Sequence, residues 1–277
     1  MMLRFLCLTF TLLFAQIGFA QGADLTARLW QVMDIEELLP IMRDEAVSEA
    51  DDIRDMLFPR GGTGSWTRDV QAIHRPERLA RLFRGGLDAA LPGMDRARID
   101  QGLSFYDSDL GQRLLDLESA ARIAMLDEEA EDAAKLAYSR AEQAGSERAD
   151  QIARLIEAAD LIGHNVAGGM NVSIAFSQGF GDAGGFDMTM GEADILGDVW
   201  AQQGQIASDV EDWLQGYMML AYSSLSDQDL EAYIDFVASP PGQALFGALF
   251  AGFGSVFRQT SYELGAAAAG QLSGRAL

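Results

Sequence analysis

The amino-acid sequence predicts an all-α protein made of two tandem repeated multi-helix units joined by a polar helical connector. Three observations favour this fold: apolar residues recur at helical spacing, strand-like alternation is sparse, and two pairs of segments match at fixed offsets. The units are placed at 24–145 and 146–265, with a C-terminal tail at 266–277. The segment 170–176 has the composition of a strand, but the helical repeat argues against that interpretation.

The first 20 residues have the features of a secretory signal peptide. Arg4 gives a positive start, residues 6–14 are apolar, and Gly18 and Ala20 are the small residues expected before a cleavage site. The apolar run is too short to span a bilayer. Cleavage would remove Cys7, the single cysteine, and with it any disulfide or cysteine-bound metal. We therefore expect an exported protein, in the periplasm or alternatively outside the cell.

The chain is strongly acidic. It carries 42 acidic and 20 basic residues, which gives a formal net charge of −22. Loss of the leader would make the mature chain more negative by one charge, since the leader contains one arginine and no acid. Such a surplus argues against nucleic acid and anionic lipid head groups as partners. Self-repulsion that keeps the protein soluble explains the surplus, and a cationic partner is the alternative explanation.

Each unit is predicted to contain four helices in the same order. In the first helix of the first unit, the apolar positions at helical spacing are Leu25, Leu29, Val32, Ile35, Leu39 and Met42. The second helices have Leu79, Phe83, Leu87 and Ala90, or Ile206, Val210, Trp213, Tyr217 and Leu220. A short third helix follows, with Ser226 as the expected N-cap of the second copy, and then the fourth.

The repeat is most visible where the third helix meets the fourth. Residues 99–115 match 230–246 at an offset of 131 positions, and 27–35 matches 153–161 at an offset of 126. The identical pairs at the first offset are Phe105/Phe236, Ser108/Ser239, Gly111/Gly242, Gln112/Gln243 and Leu114/Leu245. We expect each serine to cap the following helix and each glycine to leave room for a close neighbour.

The connector is predicted at 126–150. It is rich in Ala, Glu, Asp and Arg and has few large apolar residues. This composition predicts a solvated helix, interrupted near Gly145, with Ser146 capping the next helix. We expect it to form a rod between two separately packed units.

The pattern F-x-x-S-x-x-G-Q-x-L after a short helix resembles the family designated domain of unknown function 2059, which occurs in exported bacterial proteins. The pattern is present twice, at 105–114 and 236–245. The resemblance covers 75–130 and 205–260, less than half of the chain. It implies an all-α exported domain and implies no reaction.

The sequence contains no cluster of residues that indicates a reaction. The histidines, His74 and His164, lie in non-equivalent parts of the units, and a zinc site needs three or four ligands. Ser108 and Ser239 have no histidine nearby in the sequence. Adjacent carboxylates diverge around a helix, as at Glu36/Glu37, Asp51/Asp52 and Glu128/Glu129. We assign no catalytic, cofactor-binding or metal-binding residue and expect no cofactor.

A glycine-rich segment at 176–191 is predicted to be a mobile loop between helices. It lacks the G-x-x-x-x-G-K-[ST] pattern and a nearby basic residue that would receive phosphate. Because long loops in compact domains are often functional, Phe180, Phe186 and Met188 are the first residues to consider for a ligand or partner site.

The segment 244–257 is apolar on nearly all sides. It is predicted to be the central helix of the second unit, and the alternatives are a partner or self-association face and peripheral membrane contact. It is too short to cross a bilayer.

Together these observations favour an exported, non-catalytic protein that binds an unknown protein or small molecule. The alternatives are a carboxylate-based envelope hydrolase or lyase, and a membrane-associated or oligomeric structural protein that uses helix 244–257.

Overall fold

The computed structural model of the protein describes residues 25–57, 65–186 and 191–273. The predicted leader at 1–20, the last residues of the chain and Met188 lie outside these ranges. Within them the protein is all-α, as predicted, and no strand occurs. The helices are α1 (25–32), α2 (Ile35–Leu57), α3 (Trp66–Ile73), α4 (Pro76–Ala90), α5 (Arg96–Tyr106), α6 (Asp109–Ala124), α7 (Glu128–Gln143), α8 (Glu147–Ala158), α9 (Leu161–Asp182), α10 (Glu192–Ala221), α11 (Asp227–Ala238) and α12 (Pro240–Ser273).

Helix α12 is the centre of the packing. It contacts α9, α4, α5 and α3, and Leu245, Ala248 and Val256 on it are buried. The apolar segment 244–257 therefore lies within a long helix that neighbouring helices cover along most of its length. One hydrophobic core runs from α1 to α12 and through both predicted units, so the units do not pack separately.

Glycines allow α12 to approach its neighbours closely. A Cβ added to Gly179 of α9 would lie 1.8 Å from the carbonyl oxygen of Tyr262, and one added to Gly265 of α12 would lie 2.0 Å from that of Phe176. No side chain fits at such distances, so the backbones of α9 and α12 are in contact at this crossing.

The two helix corners that carry the repeated pattern make the same contacts. The Ser108 hydroxyl accepts a hydrogen bond from the Gly111 amide at 3.2 Å, and Ser239 does the same for Gly242 at 3.2 Å. The serines therefore cap α6 and α12, as the sequence predicts.

The glutamine side chain of each corner donates hydrogen bonds to the backbone of two helices. The side-chain amide of Gln112 donates to the carbonyls of Val32 at 3.0 Å and Tyr106 at 2.8 Å. That of Gln243 donates to the carbonyls of Ala158 at 2.8 Å and Val237 at 2.7 Å. Each glutamine thus joins its own corner to the last residue of the helix that opens its half, α1 or α8. Val32 and Ala158 are 126 positions apart, and the two glutamines are 131 apart, which are the offsets seen in the sequence.

Backbone and ion-pair features recur at the same offsets. Asp34 and Asp160 both have positive φ, at 49° and 46°. Arg28 forms an ion pair with Asp100, and Arg154 forms one with Glu231.

Three segments differ from the sequence-based expectation. The connector helix α7 is not a free rod, because Ala134 and Tyr138 are buried and the helix packs along α10. In the segment 266–277, which was expected to be a tail, the described residues 266–273 are the last part of α12. Ala268 and Ala269 are buried there in a small second core with Trp66. The loop expected at 176–191 is helical up to Asp182, since its apolar side chains pack against α12.

Candidate functional site

A cleft of about 700 Å³ lies between α2, α9, α10 and α12. Most of its wall is apolar, and each of the four helices contributes. The apolar lining residues are Met42, Ala46, Ala50, Ile53, Val172, Phe176, Phe186, Ile195, Val199, Val256, Phe257 and Leu264. We call this cavity the central cleft.

The aromatic residues of the glycine-rich segment lie at one end of the central cleft. Phe186 is in the wall, and its ring meets that of Phe180 edge to face with centroids 4.9 Å apart. Phe180 is buried and stacks in turn near Phe176, with centroids 6.2 Å apart. Of the three residues singled out in the sequence, Phe186 borders the cleft, Phe180 supports it from behind, and Met188 is outside the described residues.

Polar groups also line the central cleft. The Arg122 guanidinium donates two hydrogen bonds to the Glu45 carboxylate, from Nε to Oε1 at 2.8 Å and from Nη2 to Oε2 at 2.9 Å. This bidentate pair joins α6 to α2, and each side chain is only partly exposed. Asp198, Gln202, Thr260 and the serines of α9 add further polar atoms to the wall.

Behind this ion pair lies a carboxyl group surrounded by tyrosines. Glu118 is one helical turn before Arg122 on α6. Its Oε1 accepts a hydrogen bond from the Tyr222 hydroxyl at 2.7 Å and a longer one from Tyr233 at 3.4 Å. The hydroxyls of Tyr106 and Tyr233 are 3.0 Å apart, and Tyr217 donates to the Glu118 carbonyl at 3.1 Å. We call these five residues the tyrosine cluster.

The pKa values of all five residues of the tyrosine cluster are raised. Burial raises the pKa of Glu118, while the hydrogen bonds from Tyr222 and Tyr233 and the charge of Arg122 act in the opposite direction. Burial also raises the pKa of each of the four tyrosines well above its ordinary value, and the Glu118 charge adds to the effect. The tyrosines therefore stay neutral. Tyr222 and Tyr233 donate to the Glu118 carboxylate, and Tyr217 donates to the Glu118 backbone carbonyl.

A second hollow of about 660 Å³ adjoins the central cleft. The two cavities share Glu45, Glu49 and Arg122 as lining residues. The remaining residues of the second hollow come mainly from α7 and its entry turn and are Ser48, Met125, Leu126, Glu128, Glu131, Asp132, Lys135 and Trp213. We call it the acidic hollow.

The histidines take structural positions. His74 is buried at the end of α3, with Nδ1 2.9 Å from the Val70 carbonyl oxygen, and burial lowers its pKa. It therefore borders the central cleft as a neutral ring. His164 stacks on Phe250 with centroids 4.4 Å apart, on another part of α9.

Sequence reasoning did not single out Glu45, Arg122 or Glu118. A signal for Glu118 exists in the sequence: it falls on the same helical stripe as Leu114 and Ala121, which are buried. A carboxylate on an apolar stripe must find partners when buried. The pairing of Arg122 with Glu45 had no such signal, since it depends on how α2 packs across α6.

Neither known protein families, curated proteins nor solved structures show a significant match to this chain. Among the residues that the structure describes, no three His, Cys, Asp or Glu side chains form a group suited to a metal ion. The helices described here include none with the length and apolar character needed to span a membrane.

Proposed function

We propose that this protein is an exported, non-catalytic helical protein that binds a small apolar or amphipathic molecule in the central cleft. The observation that carries the proposal is the cleft itself. Its volume of about 700 Å³ lies within the range typical of small-molecule sites. Its wall is predominantly apolar and also contains polar groups, which is the usual composition of such sites.

Glu45, Glu118 and His74, at or behind the wall of the central cleft, are engaged in contacts within the protein, which favours binding over catalysis. Both carboxylate oxygens of Glu45 accept hydrogen bonds from Arg122. Glu118 lies behind the wall and accepts from tyrosines, and His74 is buried against a backbone carbonyl. A general acid or base needs access to its substrate, whereas these groups hold helices together.

Three expectations from the sequence belong to the same proposal. The signal-peptide features of residues 1–20 support export, with the periplasm as the main location. The twice-occurring F-x-x-S-x-x-G-Q-x-L pattern supports membership of the domain of unknown function 2059 family. The equal contacts of Gln112 and Gln243 support an origin of the two halves by tandem duplication.

The two alternatives have less support. A carboxylate-based hydrolase or lyase would draw on the acids of the cleft, of which Glu45 is already paired. A membrane-associated or oligomeric protein would use helix 244–257, but most of that segment is covered by α4, α5 and α9. Among its phenylalanines Phe257 is the most exposed, at 42%.

Binding of a neutral fluorescent apolar probe, N-phenyl-1-naphthylamine, tests the proposal. We expect saturable binding to the purified protein with a blue shift in emission. Ser177→Phe should weaken it at least about tenfold because the ring would occupy the cleft, and Ser173→Leu is a smaller obstruction of the same wall. Ser208→Phe, on the exposed side of α10, is the matched control and should bind normally. Equal binding by all folded variants, or none by the native protein, would contradict the proposal.

A further inference from the structure

The acidic hollow has a strong excess of negative charge. Its lining includes five carboxylates and two cations. The carboxylates belong to Glu45, Glu49, Glu128, Glu131 and Asp132, so the formal charge of the lining is −3. A concave surface lined by one sign of charge concentrates counter-ions of the other sign.

Both cations of the acidic hollow are already in ion pairs. Arg122 binds Glu45 through two hydrogen bonds, and Lys135 lies 2.5 Å from a carboxylate oxygen of Glu131. Their charges are therefore largely compensated within the wall. An anionic head group would compete with these carboxylates, whereas a cationic one would meet Glu128 and Asp132 on exposed positions of α7.

An aromatic ring adds to this preference. Trp213 of α10 lines the acidic hollow and stacks against Tyr217, with ring centroids 4.8 Å apart. Indole faces attract organic cations, and the attraction is greatest where water is partly excluded. The hollow thus combines carboxylates with an indole, which is a suitable environment for an ammonium group carrying alkyl substituents.

The central cleft and the acidic hollow adjoin each other, so an amphiphilic molecule can place its apolar part in one and its charged part in the other. The apolar central cleft and the acidic hollow meet at Glu45, Glu49 and Arg122. We propose that the ligand is a small cationic amphiphile, with its alkyl or aromatic tail in the central cleft and its ammonium head in the acidic hollow. This inference rests on the proposed function, because it names the chemical class of molecule that the cleft binds.

Three probes with the same tail separate the contributions of tail and head. Decyltrimethylammonium, decanoate and decanol are titrated into the purified protein below their aggregation limits, with calorimetry and far-ultraviolet circular dichroism as a check on folding. We expect decyltrimethylammonium to bind at least about tenfold more tightly than decanoate at low salt. The difference should shrink when ionic strength rises to 0.5 M, since the charges are exposed to solvent and screened.

Paired substitutions on one helix locate the head group. Glu128→Gln with Asp132→Asn neutralises two lining carboxylates and should weaken decyltrimethylammonium about three- to tenfold, with little change for decanol. Glu129→Gln with Glu142→Gln makes the same change in net charge on the same helix at positions outside the hollow. That control should keep the affinity of the native protein.

The outcomes separate the two proposals. If decanol and the naphthylamine probe bind but the three decyl compounds bind with equal affinity, the proposal of a cationic ligand is wrong and the proposal of an apolar site stands. The same conclusion follows if the Glu128/Asp132 and Glu129/Glu142 double variants have the same affinity for decyltrimethylammonium. If decanoate binds most tightly, the head-group assignment is likewise overturned. If decanol and the naphthylamine probe do not bind while the ammonium compound binds through Glu128 and Asp132, the apolar site fails. The acidic hollow would then bind the cation alone.

Discussion

The phenyl rings of Phe105 and Phe236 stack face to face, with centroids 3.9 Å apart and planes within 3° of parallel. The two residues are 131 positions apart and occupy the same place in the repeated pattern. Beside them, the hydroxyls of Tyr106 and Tyr233 are 3.0 Å apart. The two helix corners therefore pack against each other near the tyrosine cluster.

If the corners are equivalent, their glutamines should contribute equally to stability. We predict that Gln112→Ala and Gln243→Ala each lower the free energy of unfolding by about 0.5–1.5 kcal/mol, because each removes two hydrogen bonds to helix-terminal carbonyls. Urea denaturation followed by circular dichroism measures both values.

The control for the glutamines is Gln205→Ala on the exposed face of α10. Gln205 bonds only to Asp209 one turn away, so its loss should cost less than about 0.5 kcal/mol. A large effect at Gln112 with none at Gln243 would show that the two corners are not energetically equivalent, whatever their geometry.

The close crossing of α9 and α12 makes a second prediction. Gly179→Ala would place a methyl group against the Tyr262 carbonyl, and we expect a loss of about 2–3 kcal/mol as the helices are forced apart. Gly168→Ala on the same helix has open space around the added carbon and should stabilise the protein by up to about 1 kcal/mol through helix propensity.

Thermal unfolding of the two glycine variants measures this difference. Since Phe176, Ser261 and Leu264 beside this crossing line the central cleft, Gly179→Ala should also weaken binding of the naphthylamine probe, while Gly168→Ala should not. If the two variants were equally stable, α9 and α12 could not be in backbone contact at Gly179.

Local sequence patterns predicted the corners well. Ser108, Gly111 and Gln112 lie within five positions of one another, and their contacts are mostly to their own corner. Helix class and the central place of 244–257 were also readable, because apolar periodicity reports which faces are buried. The same rule wrongly predicted α7 to be a solvated rod, because its buried side consists of a few small and aromatic residues such as Ala134 and Tyr138.

The candidate site was less predictable because it is built from residues far apart in the chain. The walls of the central cleft come from α2, α9, α10 and α12, and the Arg122–Glu45 pair joins residues 77 positions apart. Nothing in the order of residues along one helix indicates which helix it will face. The glycine-rich segment was expected to be a loop for a related reason. Gly179 serves a helix crossing, which depends on the distant Tyr262.

The tyrosine cluster makes a prediction about pH. Burial raises the pKa of Glu118 above its ordinary value of 4.5, so the folded protein holds this proton to a higher pH than the unfolded chain does. Between the two pKa values the folded state binds more protons, and the contribution of this group to the free energy of unfolding falls as the pH rises. That contribution is complete below the unfolded pKa and is lost through the folded one.

Glu118→Gln removes the titration but keeps an oxygen that accepts from Tyr222, so we expect it to flatten this part of the pH dependence. The stability of the variant relative to the native protein should increase as the pH is raised from 4 to 7.

Tyr222→Phe should act differently: it removes a donor to the carboxylate, which raises the Glu118 pKa further and steepens the loss of stability with pH. Urea denaturation at several pH values measures both. A constant difference between Glu118→Gln and the native protein across this range would show that the carboxyl group titrates alike in the folded and unfolded states.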